Sequence, residues 1–317
     1  MLISGFTMAK NVSKLYYPIK ASIMSVLPIV DEFIVALGDC DADDTTRKEI
    51  ESIGSEKIKI IDTVWDIEKY PNGMENAHQT DIAKNHCKGT WCLYVQADEV
   101  IHEQYLETIK SNCEKFKSDL EVEGFLFNYI HFWGDYNHHQ LAHGWYKNEI
   151  RLVRNHPDIH SWQSAQSFRR IPNFDGLHYR QHADTYKLKV IKIPAYIYHY
   201  GWVRPPHYMQ KKKKALDTIH KGDTKAGEMY NTRALEFDYG ALGNVPKFKG
   251  THPKVMQEKI AQFDWAEELN YSKKQTNPNA EKMKHDKLKT KFITFVEQHI
   301  LGGKEIFASK NYVLLKR

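Results

Sequence analysis

The sequence predicts an α/β fold, a mostly parallel sheet flanked by helices, followed by a basic, mainly helical C-terminal extension. Three observations predict it. Short apolar runs alternate with helical patterns through the first hundred residues. Carboxylates collect just after two of those runs, at Asp39–Asp44 and Asp98-Glu99. The charge also changes sign along the chain: residues 1–203 carry 22 basic and 27 acidic side chains, and residues 204–317 carry 23 and 13.

The elements follow in order. Residues 2–6 read as a first strand. Pro18 suits the first turn of a helix, in which Ile19, Ile23, Val26 and Leu27 recur at helical spacing until Pro28 stops it. Residues 33–37 form a second strand that runs into an acidic turn. A helix over 46–53 ends at Gly54, and 58–61 is a third strand. A polar-faced helix over 74–87 is closed by Gly89, and 91–95 is a fourth strand. Strands and helices in strict alternation build a parallel sheet covered on both faces. Such sheets bind ligands beyond the carboxyl ends of their strands, so the loops after Phe6, Leu37, Ile61 and Val95 are where a site is expected. Later strands at 124–129, 150–153 and 190–197 are separated by long loops rich in His, Trp and Asn. Loops of that length in a compact domain are usually binding sites or disordered, and the aromatic and His content favours a site. The division expected is a core over 1–205 and an extension over 206–317.

The chain has 317 residues, 41 % of them hydrophobic, with 18 Tyr, 14 Phe and 7 Trp. That composition excludes a disordered chain. No apolar run is long enough to span a bilayer, no secretory leader is visible, and Cys40, Cys87, Cys92 and Cys113 form no CxxC pair. A reduced, cytoplasmic setting is expected, with the extension peripheral to the inner face of the membrane. The basic tail calls for an anionic partner; no nucleic-acid motif accompanies it, which argues against nucleic acid. Lysines at 211–214 and across 282–291 would form the patch. The second group leads into apolar residues from Phe292 to Leu301 at roughly helical spacing, an arrangement suited to a helix on a headgroup layer or to one packed on the core.

Asp39, Asp41, Asp43 and Asp44 repel one another unless a cation or a donor-rich ligand meets them. A ribose hydroxyl or a base N–H is such a donor; helix capping is the alternative role, above all for Asp44. Gln96-Ala97-Asp98-Glu99 ends the fourth strand, where one or two carboxylates plus phosphates suit Mg²⁺ or Mn²⁺, which would neutralise a leaving diphosphate.

These segments resemble glycosyltransferase family 2, of the GT-A fold, a Rossmann-like sheet flanked by helices. The resemblance rests on the opening Ser4-Gly5-Phe6-Thr7 with Asn11, on Val30-Asp31-Glu32-Phe33-Ile34-Val35 leading to Ala42-Asp43-Asp44-Thr45, and on Gly89-Thr90-Trp91 leading to Gln96-Ala97-Asp98-Glu99. Ile150-Arg151-Leu152-Val153-Arg154 and His199-Tyr200-Gly201-Trp202 complete it. It covers roughly residues 1–205 and implies inverting, divalent-metal-dependent transfer of a sugar from a nucleotide-diphosphate donor to a glycan or lipid-linked acceptor, in cell-envelope polysaccharide synthesis for example. By the same resemblance Asp98 and His199 would hold Mn²⁺ or Mg²⁺. Thr7, Asn11, Asp39, Asp43, Gln96 and Arg151 would contact the donor. The general base would come from Glu149, Asp158, Glu99 or Asp135. Two departures stand out: Gln96 replaces the first Asp of the metal motif, and Trp162-Gln163-Ser164-Ala165-Gln166 carries no carboxylate where the family often has one. They motivate the alternative of a catalytically degenerate sugar-nucleotide binder. A nucleotidyltransferase is the other alternative, but no Gly-rich basic loop follows the first strand. The clustered His131, His138, His139 and His143 suggest an acceptor pocket rather than zinc, because no zinc-type spacing accompanies them.

Overall fold

A computed structural model describes residues 2–278, 283–306 and 310–317. The first hundred residues alternate as their pattern requires: β1 (Ile3–Ala9), α1 (Ile19–Val26), β2 (Glu32–Leu37), α2 (Thr46–Glu51), β3 (Ile58–Asp62), α3 (Met74–Asn85) and β4 (Trp91–Tyr94). The strands lie in the order β3-β2-β1-β4, all parallel. Every residue of β2 and β4 is buried, the signature of strands covered on both faces. Ile3, Phe33, Val35 and Leu93 pack with Ile19, Ile23 and Val26 of α1 on one face. Phe6, Ile34, Ala36 and Tyr94 pack with Ala83 of α3 on the other.

The second half is antiparallel in part. Next come β5 (Glu99–Ile101), α4 (Leu106–Lys115), β6 (Gly124–Trp133), β7 (His139–Gln140), β8 (Asn148–Arg154), β9 (Ile159–Trp162), β10 (Ser167–Arg170) and the 17-residue β11 (Tyr186–Trp202). β8 runs antiparallel between β4 and β6, and β6 is parallel to β11. β5 pairs with β11 so that Glu99 sits opposite His199, and His199 sits opposite His131 of β6. Residues far apart in sequence are thereby set in one row. The expected α/β class, with helices flanking the sheet, is observed.

The chain after residue 205 forms α5 (Pro206–Lys221), α6 (Asp223–Asn231), α7 (Gln257–Ala261) and α8 (Leu288–Phe295), the last continued by a π-helical segment, Val296–Ile300. Much of residues 232–256 is turns and irregular chain. Phe237, Tyr239, Leu242, Met256 and Trp265 bury themselves against Phe132, Trp133, Tyr198 and Tyr200 of β6 and β11, so this segment shares a core with the sheet. A last strand, β12 (Tyr312–Leu314), adds in parallel to β11 along Leu188–Val190. Among the described residues no helix is long and apolar enough to cross a membrane.

Candidate active site

The loops that leave the carboxyl ends of β1 and β2 settle the acidic turn with lysines. Lys10 Nζ lies 2.8 Å from Asp39, and Lys14 Nζ lies 2.8 Å from Asp41 and 2.7 Å from Asp43. Asp44 accepts from the backbone N–H groups of Lys14 and Thr46, an end-of-helix role. Asn11, at φ 53°, exchanges hydrogen bonds with Asp41 and so pins one loop to the other. Burial pushes the Asp39 carboxyl up, but hydrogen bonds from Lys10 and the Trp65 backbone N–H outweigh it and hold it below the usual range. Asp39 is held at the rim of the site, whereas Asp43 points outward, 77 % exposed. Thr7 lies inside β1, entirely buried, with its hydroxyl turned to the Met8 carbonyl. It offers nothing to a ligand, which corrects its expected role.

Beside Asp39 is a polar cluster that the sequence did not flag. The Trp65 indole presses on Gly38, where a Cβ would fall 2.5 Å from Nε1. Glu75 and Gln79, one helical turn apart on α3, are wholly buried and share a 2.7 Å hydrogen bond. Trp65 Nε1, Glu75 Oε2 and Gln79 Oε1 are buried without a hydrogen-bond partner. Burial raises the Glu75 carboxyl above its usual range. Unmet buried donors and acceptors are few in native proteins and call for a reason; one indole N–H and two oxygens at the carboxyl ends of parallel strands suit a ligand with both donors and acceptors. A polar helix reads as a solvated face, which hid this pair; the available signal was an i, i+4 acid–amide pair in the first turns of a helix entered from a strand's carboxyl end.

Asp98 lies deeper. Its Oδ2 is 3.0 Å from Lys212 Nζ and 3.7 Å from His199 Nε2. His199 Nδ1 is 2.9 Å from His131 Nδ1, and His131 Nε2 is 2.7 Å from the Tyr146 carbonyl. The carbonyl can only accept, so His131 donates from Nε2 and accepts at Nδ1. His199 must then donate from Nδ1, which leaves its Nε2 lone pair facing Asp98. Burial holds the His131 ring down at about 4 and the His199 ring well below its usual value, so both are neutral at pH 7. Burial opposes ionisation of Asp98 too, but the cationic Lys212 and Arg204 hold its carboxyl far below the usual range. Gly201 makes room for the pair: a Cβ there would sit 2.7 Å from Asp98 Oδ2 and run into the His199 ring. A carboxylate and an imidazole lone pair on one point fit a hard or borderline divalent cation chemically. They supply part of a coordination shell, since no group of three His, Cys, Asp or Glu among the described residues could hold an ion unaided.

Arg204 stands close by, fully buried. One terminal nitrogen donates to the Leu15 carbonyl at 2.6 Å, its plane lies 4.5 Å from the Tyr17 ring centre, and Nε and the other terminal nitrogen have no partner.

Glu99 and Arg151, expected as a base and a phosphate ligand, instead hold each other. Two 2.8 Å hydrogen bonds join the guanidinium to the carboxylate, which also accepts from Tyr129 Oη and the Gln96 N–H. Both are wholly enclosed and saturated, so neither serves a substrate. Gln96 turns its amide to the Ala165 carbonyl at 3.1 Å, tying β4 to the 163–166 turn. Asp135 accepts from the Asn137 and His138 backbones and the His138 ring, a turn-building role.

The direction of β8 separates the two remaining base candidates. Because β8 is antiparallel to β4, its end lies at the amino ends of the parallel strands: Asn155 donates from its backbone to Thr90 and from its side chain to Cys87 and Gly89. Asp158, three residues on, is therefore on the wrong edge of the sheet, which corrects that expectation. Glu149, at the start of β8, is on the site's edge. Desolvation by the surrounding protein pushes its carboxyl up to about 7, and burial, followed by the charges of Glu99, Glu149 and Asp98, pushes the Tyr146 phenol up. The four clustered histidines disperse: His131 supports His199, His138 caps the Asp135 turn, His139 packs 6.0 Å from Phe248, and His143 pairs with buried Glu297 at 2.9 Å.

No family model matches this chain and no curated protein matches it. Among solved structures, residues 1–349 of S. aureus TarS are 15 % identical, with 73 % of this chain and 72 % of that chain covered, at a TM-score of 0.38. The same protein in complex with UDP-GlcNAc gives 14 %, 72 %, 70 % and 0.37. Glucosyl-3-phosphoglycerate synthase from Mycobacterium tuberculosis, in complex with Mn²⁺, UDP and phosphoglyceric acid, is 15 % identical over 41 % of this chain and 43 % of that chain, at 0.28. Likenesses this distant leave the chemistry of the chain to its own side chains.

Proposed function

We propose that this chain is a glycosyltransferase of the GT-A type, moving a sugar from a nucleotide-diphosphate donor to a hydroxyl of a glycan or lipid-linked acceptor with inversion. The observation that carries the reading is the convergence of the Asp98 carboxylate and the His199 lone pair; the partner-poor polar cluster of Trp65, Glu75 and Gln79, at the carboxyl ends of the parallel strands, supports it. A nucleoside has the donors and acceptors that this cluster lacks, and Asp39, bonded to the Trp65 backbone, stands beside it for a ribose hydroxyl. The diphosphate then lies towards Asp98. A divalent cation bound by Asp98 and His199 would act as a Lewis acid on the leaving diphosphate. Glu149 is the base: it takes the acceptor's hydroxyl proton as the new bond to the anomeric carbon forms and the bond to the diphosphate breaks. A carboxylate near 7 suits a base working at neutral pH.

Calorimetry and thermal shift with UDP-, GDP- and dTDP-sugars, with and without Mn²⁺, test this. One donor should raise the melting temperature, as any ligand of the native state does. Asp39→Asn should weaken that donor about tenfold, a charged hydrogen bond's worth. No shift with any of them would sink the proposal.

The acceptor side is proposed to be an anionic membrane surface, and α8 supports this. Leu288, Phe292 and Phe295, on one helical face, are 86 %, 70 % and 55 % exposed, and Ile300 just beyond is 67 % exposed. Lys287, Lys289 and Lys291 intersperse them, and Lys282 lies outside the described residues. An apolar face amid lysines is the pattern of a helix lying in a headgroup layer, each lysine adding about 1 kcal/mol near anionic lipid. The protein should sediment with phosphatidylglycerol vesicles at low salt and release at high salt. Phe292→Ser with Phe295→Ser should abolish sedimentation; equal sedimentation of variant and parent would place the contact elsewhere.

A further inference from the structure

The tetralysine 211–214 is not a uniform surface patch. Lys211 lies over Tyr208 and Lys213 over Phe237, but Lys212 turns into the site. Its ammonium donates to Asp98 Oδ2 at 3.0 Å and to the Gly201 carbonyl at 2.7 Å, and its side chain is 12 % exposed. We infer that Lys212, with Arg204, forms a tethered cationic seat for the donor's diphosphate, and that Lys212 and a divalent cation compete for the same oxygen of Asp98. The choice of anion rests on the transferase reading; the seat itself does not.

Three observations carry the seat. Arg204 is fully buried and keeps two nitrogens without acceptors, although a guanidinium has five N–H donors in a fork that matches phosphate oxygens. Lys212 uses two of its three donors on protein oxygens. The cations are also crowded: the Arg204 guanidinium and the Lys212 ammonium lie 4.5 and 4.9 Å from the centre of the same Tyr17 ring, with the one carboxylate of Asp98 against Lys212. An uncompensated buried cation is costly, and an acceptor-rich anion lying against Arg204 and Lys212 would satisfy both the charge and the orphan nitrogens. Competition follows from geometry, because the oxygen that Lys212 grips is the one facing His199 Nε2 at 3.7 Å. An ion bridging Asp98 and His199 needs that oxygen. With Lys212 in place the chain supplies positive charge from within, so binding of a diphosphate does not require a metal.

The test is calorimetry with inorganic pyrophosphate and with UDP, each in EDTA and in Mn²⁺, alongside Mn²⁺ binding followed by paramagnetic resonance. The wild-type protein should bind pyrophosphate in EDTA. Lys212→Met should lose about tenfold or more in EDTA, as expected for a charge-assisted contact, and should bind Mn²⁺ more tightly. Lys212→Arg, which keeps the charge, should bind pyrophosphate in EDTA better than Lys212→Met. The double variant Asp98→Asn, Lys212→Met removes the unpaired carboxylate, guards against misfolding of the single variant, and should also bind pyrophosphate weakly. No pyrophosphate binding by the wild type in EDTA, or unchanged pyrophosphate and Mn²⁺ affinities in Lys212→Met, overturns the inference. Pyrophosphate binding by a protein that binds no sugar nucleotide would leave the seat standing and remove the transferase reading. Sugar-nucleotide binding that requires metal in both wild type and Lys212→Met would do the reverse.

Discussion

Replacing Glu149 by Gln is expected to lower kcat by about 10²–10⁴-fold, the usual contribution of a general base, with donor affinity nearly unchanged. The wild-type rate should rise with pH through about 7, where the carboxylate forms, and that rising limb should vanish in the variant. The same shift has a stability consequence with a definite sign. A carboxyl raised on folding favours the native state below its ordinary pKa and loses that contribution as pH climbs through about 7. Glu149→Gln should therefore melt higher than the wild type at pH 8, and the two should converge near pH 4. Donor-dependent turnover and melting curves at both pH values check this. An unaltered pH–rate profile would remove Glu149 as the base, and a variant that melts lower at pH 8 would show that the carboxylate is held by partners rather than strained by burial.

Arg151→Met should be the most damaging single change outside the apolar core. It strands the Glu99 carboxylate, which is wholly enclosed and keeps only the Tyr129 hydroxyl and the Gln96 N–H as partners. Breaking one side of such a pair costs about 3–5 kcal/mol. Adding Glu99→Gln should restore much of that loss, because the expense lies in the orphaned charge rather than in the missing attraction. Chemical denaturation of the two single variants and the double variant measures it. A loss below about 1 kcal/mol for Arg151→Met, within the range of an exposed pair, would contradict the burial argument.

How much of this was legible in the sequence depends on the range of the interaction. The parallel strands and their order of helices followed from local periodicity, and with them the loops in which Asp39 and Asp98 stand. His199 was singled out by the family resemblance, but its tautomer depends on His131 and the Tyr146 carbonyl, partners brought in by sheet register. Strand direction governed the misplacement of Asp158: an apolar run announces a strand without saying which way it runs, and the reversal of β8 exchanges the two ends of the site. Glu99 looked free because its partner Arg151 is 52 positions away. Lys212 was hidden by its neighbours, since a run of four lysines reads as solvated charge and gives no sign that one of them turns inward. Glu75 and Gln79 were hidden for the related reason that a helix with polar residues on every side shows no preferred face.

β12 also bears on how the chain is made. The edge of β11 along Leu188–Val190 is covered by Tyr312–Leu314, 124 residues later in the chain. At about 5–20 residues per second of synthesis, that edge stands open for roughly 6–25 s while the intervening chain emerges. Unpaired backbone on a strand edge invites another chain to pair with it. The nascent protein therefore passes through a sticky interval that the finished one does not have, and a chain shortened before residue 312 would never leave it.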